Sequence, residues 1–264
     1  MTTSSKPLAF ILHASGTNRD HDAVQALELA GARTEIIHLN RLRRGERTLD
    51  EAQLLLLPGG FSYGDALGAG RLMALDLQTY FAEALRAFVA SGKPVIGICN
   101  GFQALVKADL LPGWGDAPRA ASLVNNQTGR FECRWVTLAA DPNSVCVWTR
   151  GLRQPIRCPV AHGEGRFVLR EPVYLERLRA CGQIALTYSD GSNPNGSVAD
   201  IAGVCNPEGN VLGLMPHPEN HIYDWQSPAY HQDRYRAETT GRTGGLGLAL
   251  FETGLAYLKE KGLC

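Results

Sequence analysis

Along the first hundred residues, short apolar runs alternate with polar, glycine-containing turns and with stretches whose apolar positions recur at helical spacing. Parallel βαβ units produce this pattern. The predicted strands are Leu8 to His13, Thr34 to Leu39, Gln53 to Leu57 and Pro94 to Cys99, each too short for a buried helix and each ended by turn chemistry. Between the third and fourth, Arg71 to Ala90 reads as one helix. Leu77, Phe81, Leu85 and Phe88 share a stripe, and Gly92 with Pro94 stops it. The predicted class is α/β, a doubly wound and mostly parallel sheet.

From about Asn125 to Val168 the texture changes to β-type runs such as CRWVTLAA and SVCVWTR, broken by Pro, Asn and Gly. They predict antiparallel strands added to the main sheet. Gln183 to Tyr188, Ile201 to Cys205 and Val211 to Met215 are strand-like, with EGN as a hairpin turn between the last two. Gly244 to Lys259 predicts a closing helix. No repeat or linker divides the chain, so residues 1–264 are expected to form one domain.

Composition narrows the function. Lys plus Arg and Asp plus Glu number 26 each, which gives no electrostatic pull toward nucleic acid or an anionic membrane. The N-terminus does not read as a signal peptide, and no run approaches a membrane span. Seven cysteines without a C-x-x-C pair resemble neither a disulfide framework nor a metal site, so no metal is expected and a reducing cytoplasm fits best. The N-x-[ST] matches at Asn126 and Asn195 are taken as chance.

In KPVIGICNGFQAL an apolar strand runs into Cys99, and Asn100 opens a helix. Such a turn holds a nucleophile above the carboxyl edge of the sheet, where backbone amides and the helix dipole favour a thiolate. Gly97 and Gly101 leave room for the turn and for a substrate. A strand-end cysteine alone is more often a packing residue. A thiolate that cleaves an amide also needs a histidine to handle protons. His217, in GLMPHPENH, is the candidate, with Glu219 at i+2 to orient it. If the segment is extended, the two side chains project to one side. An oxyanion needs preset donors. LLLLPGGFSYGD supplies a turn whose amides, near Gly60 and Phe61, are expected to join the Asn100 amide.

These residues carry a resemblance. PGGFSYGD, GICNGFQAL, AHGEGRF, DGSNPNGS, IAGVCNPEGNVLG and MPHPE occur in the order seen in the glutaminase subunits of phosphoribosylformylglycinamidine synthase. The chain resembles that family of class I glutamine amidotransferases, with a flavodoxin-like fold, over roughly residues 8 to 220. The resemblance implies a Cys99, His217 and Glu219 triad, with Gln103 and the loop from Gly59 to Ser62 lining a glutamine pocket. It implies no cofactor in this chain. Ammonia would pass to a synthetase subunit that uses ATP and Mg, often joined by a small third subunit.

The motif AHGEGRF offers a second histidine near a carboxylate, His162 and Glu164 with Arg166, but is read as a polar loop that closes the pocket or docks the synthetase. DGSNPNGS is expected to shape that loop or meet the partner. The family usually reads P-G-T-N-C-D near the first strand. Here the run is Ser15-Gly16-Thr17-Asn18-Arg19-Asp20. The aromatics of 220–242 suit an interface, a lid or packing equally. Rival readings keep the cysteine turn but serve another synthetase, act in redox sensing or chaperoning, or make a non-catalytic assembly subunit.

Overall fold

The computed structural model describes residues 6–232, 234, 235 and 246–263. A nine-stranded sheet runs in the order β2-β1-β3-β4-β11-β10-β9-β6-β7. Its first half is parallel: β1 (Leu8–His13), β2 (Arg33–His38), β3 (Leu54–Leu57), β4 (Val95–Ile98) and β11 (Val211–Leu214). Its second half is antiparallel: β10 (Ile201–Cys205), β9 (Ile184–Tyr188), β6 (Glu132–Ala140) and β7 (Ile156–His162). A separate ribbon pairs β5 (Ala121–Val124) with β8 (Arg166–Leu169). Apart from the edge strand β2, which is only partly buried and keeps polar residues, the strands of the parallel half are buried on both faces, hence their unbroken apolar runs.

The chain moves outward from β1 to β2 through α1 (Asp20–Leu29), then returns past β1 to β3 and on to β4. Right-handed crossovers in opposite directions put α1 and the helices after β3 on opposite faces, so the order reverses at β1 and β3. A short helix α2 (Leu39–Arg43) follows β2 and α6 (Val173–Ala180) follows β8; the closing helix α7 (Leu248–Glu260) packs on α1, whereas α3 (Arg71–Tyr80) packs on α5 (Asn100–Lys107). Residues 244 and 245 of the expected closing helix lie outside the described residues.

Two expectations are corrected. The helix predicted over Arg71 to Ala90 is two, α3 and α4 (Ala82–Ala90), because Phe81 leaves helical geometry at φ −125°, ψ 6° and buries its ring. The break lets α4 turn onto the 3-10 turn Leu49–Glu51 while α3 follows α5. SVCVWTR is not a strand. Its amides bond to turns, Val145 to the Gly182 carbonyl and Val147 to that of Gly209, and its apolar side chains Cys146, Val147 and Trp148 plug the core beside Gly254. Both N-x-[ST] asparagines are buried, which agrees with reading those motifs as chance. Among the described residues no helix is long and apolar enough to cross a membrane, and no three His, Cys, Asp or Glu gather as metal ligands.

Candidate active site

The carboxyl ends of β3, β4 and β11 deliver three segments to one edge of the sheet: Pro58-Gly59-Gly60, Cys99 and Met215 to Glu219. Cys99 sits between β4 and α5 with φ +51° and ψ −103°, a backbone state costing on the order of 1–3 kcal/mol for a residue with a Cβ. Neighbouring bonds hold it there: the Cys99 amide donates to the Leu214 carbonyl at 2.8 Å, and the Cys99 carbonyl accepts from Gln103 at 3.0 Å. The flanking glycines are required sterically. A Cβ on Gly101 would lie 2.0 Å from the Leu57 carbonyl oxygen, and one on Gly97 would meet Leu105 at 2.5 Å.

His217 and Glu219 are buried beside it, joined by a 2.7 Å bond from Nδ1 to Oε1. The pairing does not arise from an extended segment. Pro218 to Asn220 form a 3-10 turn, which brings the carboxylate round to the ring. Burial alone pulls the His217 pKa down, but the Glu219 carboxylate and the Cys99 sulfur outweigh it and raise the pKa to about 10. The other Glu219 oxygen is buried without a hydrogen-bond partner, so the imidazolium is the counter-charge of that carboxylate. With Nδ1 on Glu219, Nε2 is the nitrogen left for chemistry. Gly59 backs the ring, since a Cβ there would stand 2.7 Å from His217 Cε1.

Cys99 and His217 line a cavity of about 250 Å³, with Gly60 and Arg19 among its other walls and the half-exposed rings of Phe61 and Phe131 at its rim. Thr17 and Gly60 form a bridge in which the Phe61 amide donates to the Gly16 carbonyl at 3.0 Å and the Arg19 amide to that of Gly59 at 3.3 Å. Residues facing each other between such bonds turn their own amides outward. The Phe61 amide is therefore spent and does not serve as an oxyanion donor, contrary to expectation. Gly60 turns its amide away from the bridge, and Asn100, first residue of α5, has no intrahelical acceptor for its own.

Ser62 and Gln103 stand behind this cavity rather than in its wall. The Gln103 side chain donates to the Glu164 carbonyl at 2.7 Å and accepts from Asn100 Nδ2 at 3.1 Å. Asn100 Nδ2 also reaches Asp65 at 2.9 Å, and its oxygen accepts from the Ser62 amide at 3.0 Å. Gln103 thus braces the elbow against the loop, and no free amide of Gln103 faces a substrate.

His162 closes β7 and is not a second triad. Its Nδ1 faces the Asn126 side-chain oxygen at 3.1 Å, and burial, then the charge on His217, lower its pKa to about 4. Glu164 turns away, and its Oε2 accepts from the Ala69 amide at 3.4 Å. Arg166 donates to the Gly196 carbonyl at 3.1 Å. Asn195 and Ser197 hold the loop from behind, donating to the Gly165 carbonyl at 2.8 Å and accepting from the Phe167 amide at 2.9 Å, so the NPNGS motif shapes this loop. The part played by Asn126 had no signal in the sequence beyond a chance N-x-[ST] match. The backing of His217 by Gly59 had only the P-G-G turn.

A strand-end thiol, an imidazole and a carboxylate meet at one edge of a doubly wound sheet, an arrangement that fits the class of glutamine amidotransferases. The family model described as CobB/CobQ-like glutamine amidotransferase domain matches residues 6–258. A curated relative, phosphoribosylformylglycinamidine synthase subunit PurQ of Treponema denticola, is 53% identical over 82% of this chain and 89% of its own. PurQ of Dehalococcoides mccartyi is 40% identical over 97% and 99%. Among solved structures, that of PurLQS from Thermotoga maritima matches with a TM-score of 0.74 at 34% identity, covering 96% of this chain and 100% of that one. The chain belongs to the PurQ family of glutamine amidotransferases.

Proposed function

We propose that this chain is the glutaminase subunit of phosphoribosylformylglycinamidine synthase, with Cys99, His217 and Glu219 as its catalytic residues. It hydrolyses glutamine and passes the ammonia to a synthetase subunit, which makes the amidine from formylglycinamide ribonucleotide with ATP in purine synthesis. The observation that carries the catalytic assignment is the buried His217 and Glu219 pair, 2.7 Å apart, whose imidazole lines a cavity together with the strained Cys99. A carboxylate on Nδ1 fixes the tautomer and leaves Nε2 to exchange protons with the sulfur and the substrate.

With its proton transferred to Nε2 of His217, Cys99 attacks the carboxamide carbon as a thiolate, and the negative charge that develops on the carbonyl oxygen meets the Gly60 and Asn100 amides. As the carbon–nitrogen bond breaks, Nε2–H of His217 gives its proton to the departing nitrogen, which leaves as ammonia. A thioester to Cys99 remains. His217, now neutral, takes a proton from water, the hydroxide oxygen adds to the thioester carbon, and the carbon–sulfur bond breaks to give glutamate. Each step is balanced without metal or cofactor in this chain. ATP and Mg belong to the synthetase, and the working compartment is the cytoplasm.

The test is the reconstituted complex, assayed with glutamine and with ammonium salts. Cys99→Ala is expected to abolish glutamine-driven synthesis and keep ammonium-driven synthesis. Loss of both activities, or of neither, overturns the assignment.

A further inference from the structure

Glutamine brings two problems to this cavity. Its carboxamide must reach Cys99, and its α-carboxylate, at the other end of a short flexible chain, must be distinguished from the uncharged ends of other amides. The triad solves only the first. Among the described residues that line the cavity, Arg19 alone offers a cation besides the His217 ring. Its stem lies along Gly59, with Cγ 3.4 Å from where a Cβ there would be, and Gly59 in turn touches His217. The cation is therefore attached to the wall that backs the catalytic imidazole, at the position where the family pattern has cysteine.

Its present partner is a replaceable one. Arg19 Nη1 meets Asp22 at 3.0 Å, three residues on, and both side chains are more than a third exposed, at 40% and 34%. Such a surface pair contributes little, because water competes for both ions. A second carboxylate can share or take over the planar fork, which holds carboxylates through paired, charge-assisted bonds. We propose that Arg19 binds the α-carboxylate of glutamine and so sets the selectivity of this site for an amino-acid amide. The proposal rests on the glutaminase reading above.

The test uses the reconstituted complex with Arg19→Met and Arg19→Lys. Arg19→Met is expected to raise KM for glutamine roughly ten- to hundredfold with kcat within about threefold, the pattern of lost uniform binding. Arg19→Lys should recover part of the loss. With γ-aminobutyramide, which keeps the carboxamide and amine but lacks the carboxylate, wild type and Arg19→Met should show the same low kcat/KM. An unchanged KM for glutamine overturns the proposal. So does an equal loss on both amides, or a parallel fall in ammonium-driven synthesis, which would mark Arg19 as a folding or docking residue. A wild-type complex that releases no glutamate from glutamine removes the parent reading too, whereas an active wild type with an indifferent Arg19→Met removes this one alone.

Discussion

Two histidines in this molecule share a local pattern and differ in every property that matters for chemistry. His162 and His217 each end a strand or strand-end segment, each has a glutamate two residues on, and each is 3% exposed. At His217 the 3-10 turn brings Glu219 to Nδ1, and the imidazole holds its proton up to about 10. At His162 the glutamate swings away to Ala69, the neutral Asn126 amide takes its place, and the ring stays neutral down to about 4. Burial is common to both. The charge of the group on Nδ1 decides which imidazole can act as an acid.

The comparison breaks most visibly at Glu219. Glu219→Gln keeps the shape and removes the charge, so glutamate release should fall roughly 10⁴-fold, as for other triads that lose their orienting carboxylate. His162→Gln should cost less than about tenfold in the same assay. Equal losses would mean that His162 takes part in the reaction. Asn126→Asp sharpens the contrast from the other side: placing a carboxylate on Nδ1 should move the His162 titration upward, measured by imidazole NMR, and an unmoved titration would show that burial and the nearby His217 charge set it whatever group sits on Nδ1.

Stability against pH should separate the two rings as well. His217 is raised, so its contribution is complete below the unfolded value near 6.5 and is lost as pH climbs toward about 10. His162 is lowered, so between 6.5 and about 4 the unfolded chain takes up a proton that the folded chain refuses, and stability falls as pH falls. Denaturant midpoints of Glu219→Gln should lose the alkaline dependence, and those of His162→Gln the acidic one. The smallest effect concerns packing. Gly165→Ala places a Cβ 2.2 Å from the His162 ring and should cost about 1–3 kcal/mol, while Gly163→Ala, with Phe131 at 3.8 Å, should be nearly silent in the same melts.

Most of the parallel half was legible because burial on both faces writes unbroken apolar runs: Leu8 to His13 matches β1 end for end, and Gln53 to Leu57 exceeds β3 by one residue. SVCVWTR misled for the same reason, since an apolar plug and a buried strand use the same residues. The elbow at Cys99 was legible through Gly97 and Gly101, whose small size local crowding demands. The fate of the Phe61 amide was not, because it depends on Gly16, a residue that comes near only after the sheet has formed. Nor could spacing tell His162 from His217, as the same His-x-Glu step opens onto different backbones.

Gly59 carries one more consequence. A Cβ at residue 59 would stand 2.7 Å from His217 Cε1, so any side chain there would claim the space the imidazole occupies. Residue 59 is therefore a vacancy the histidine depends on: the seat of the ring is cut from the backbone of a different loop, and filling it by one methyl group would unseat the imidazole from Glu219.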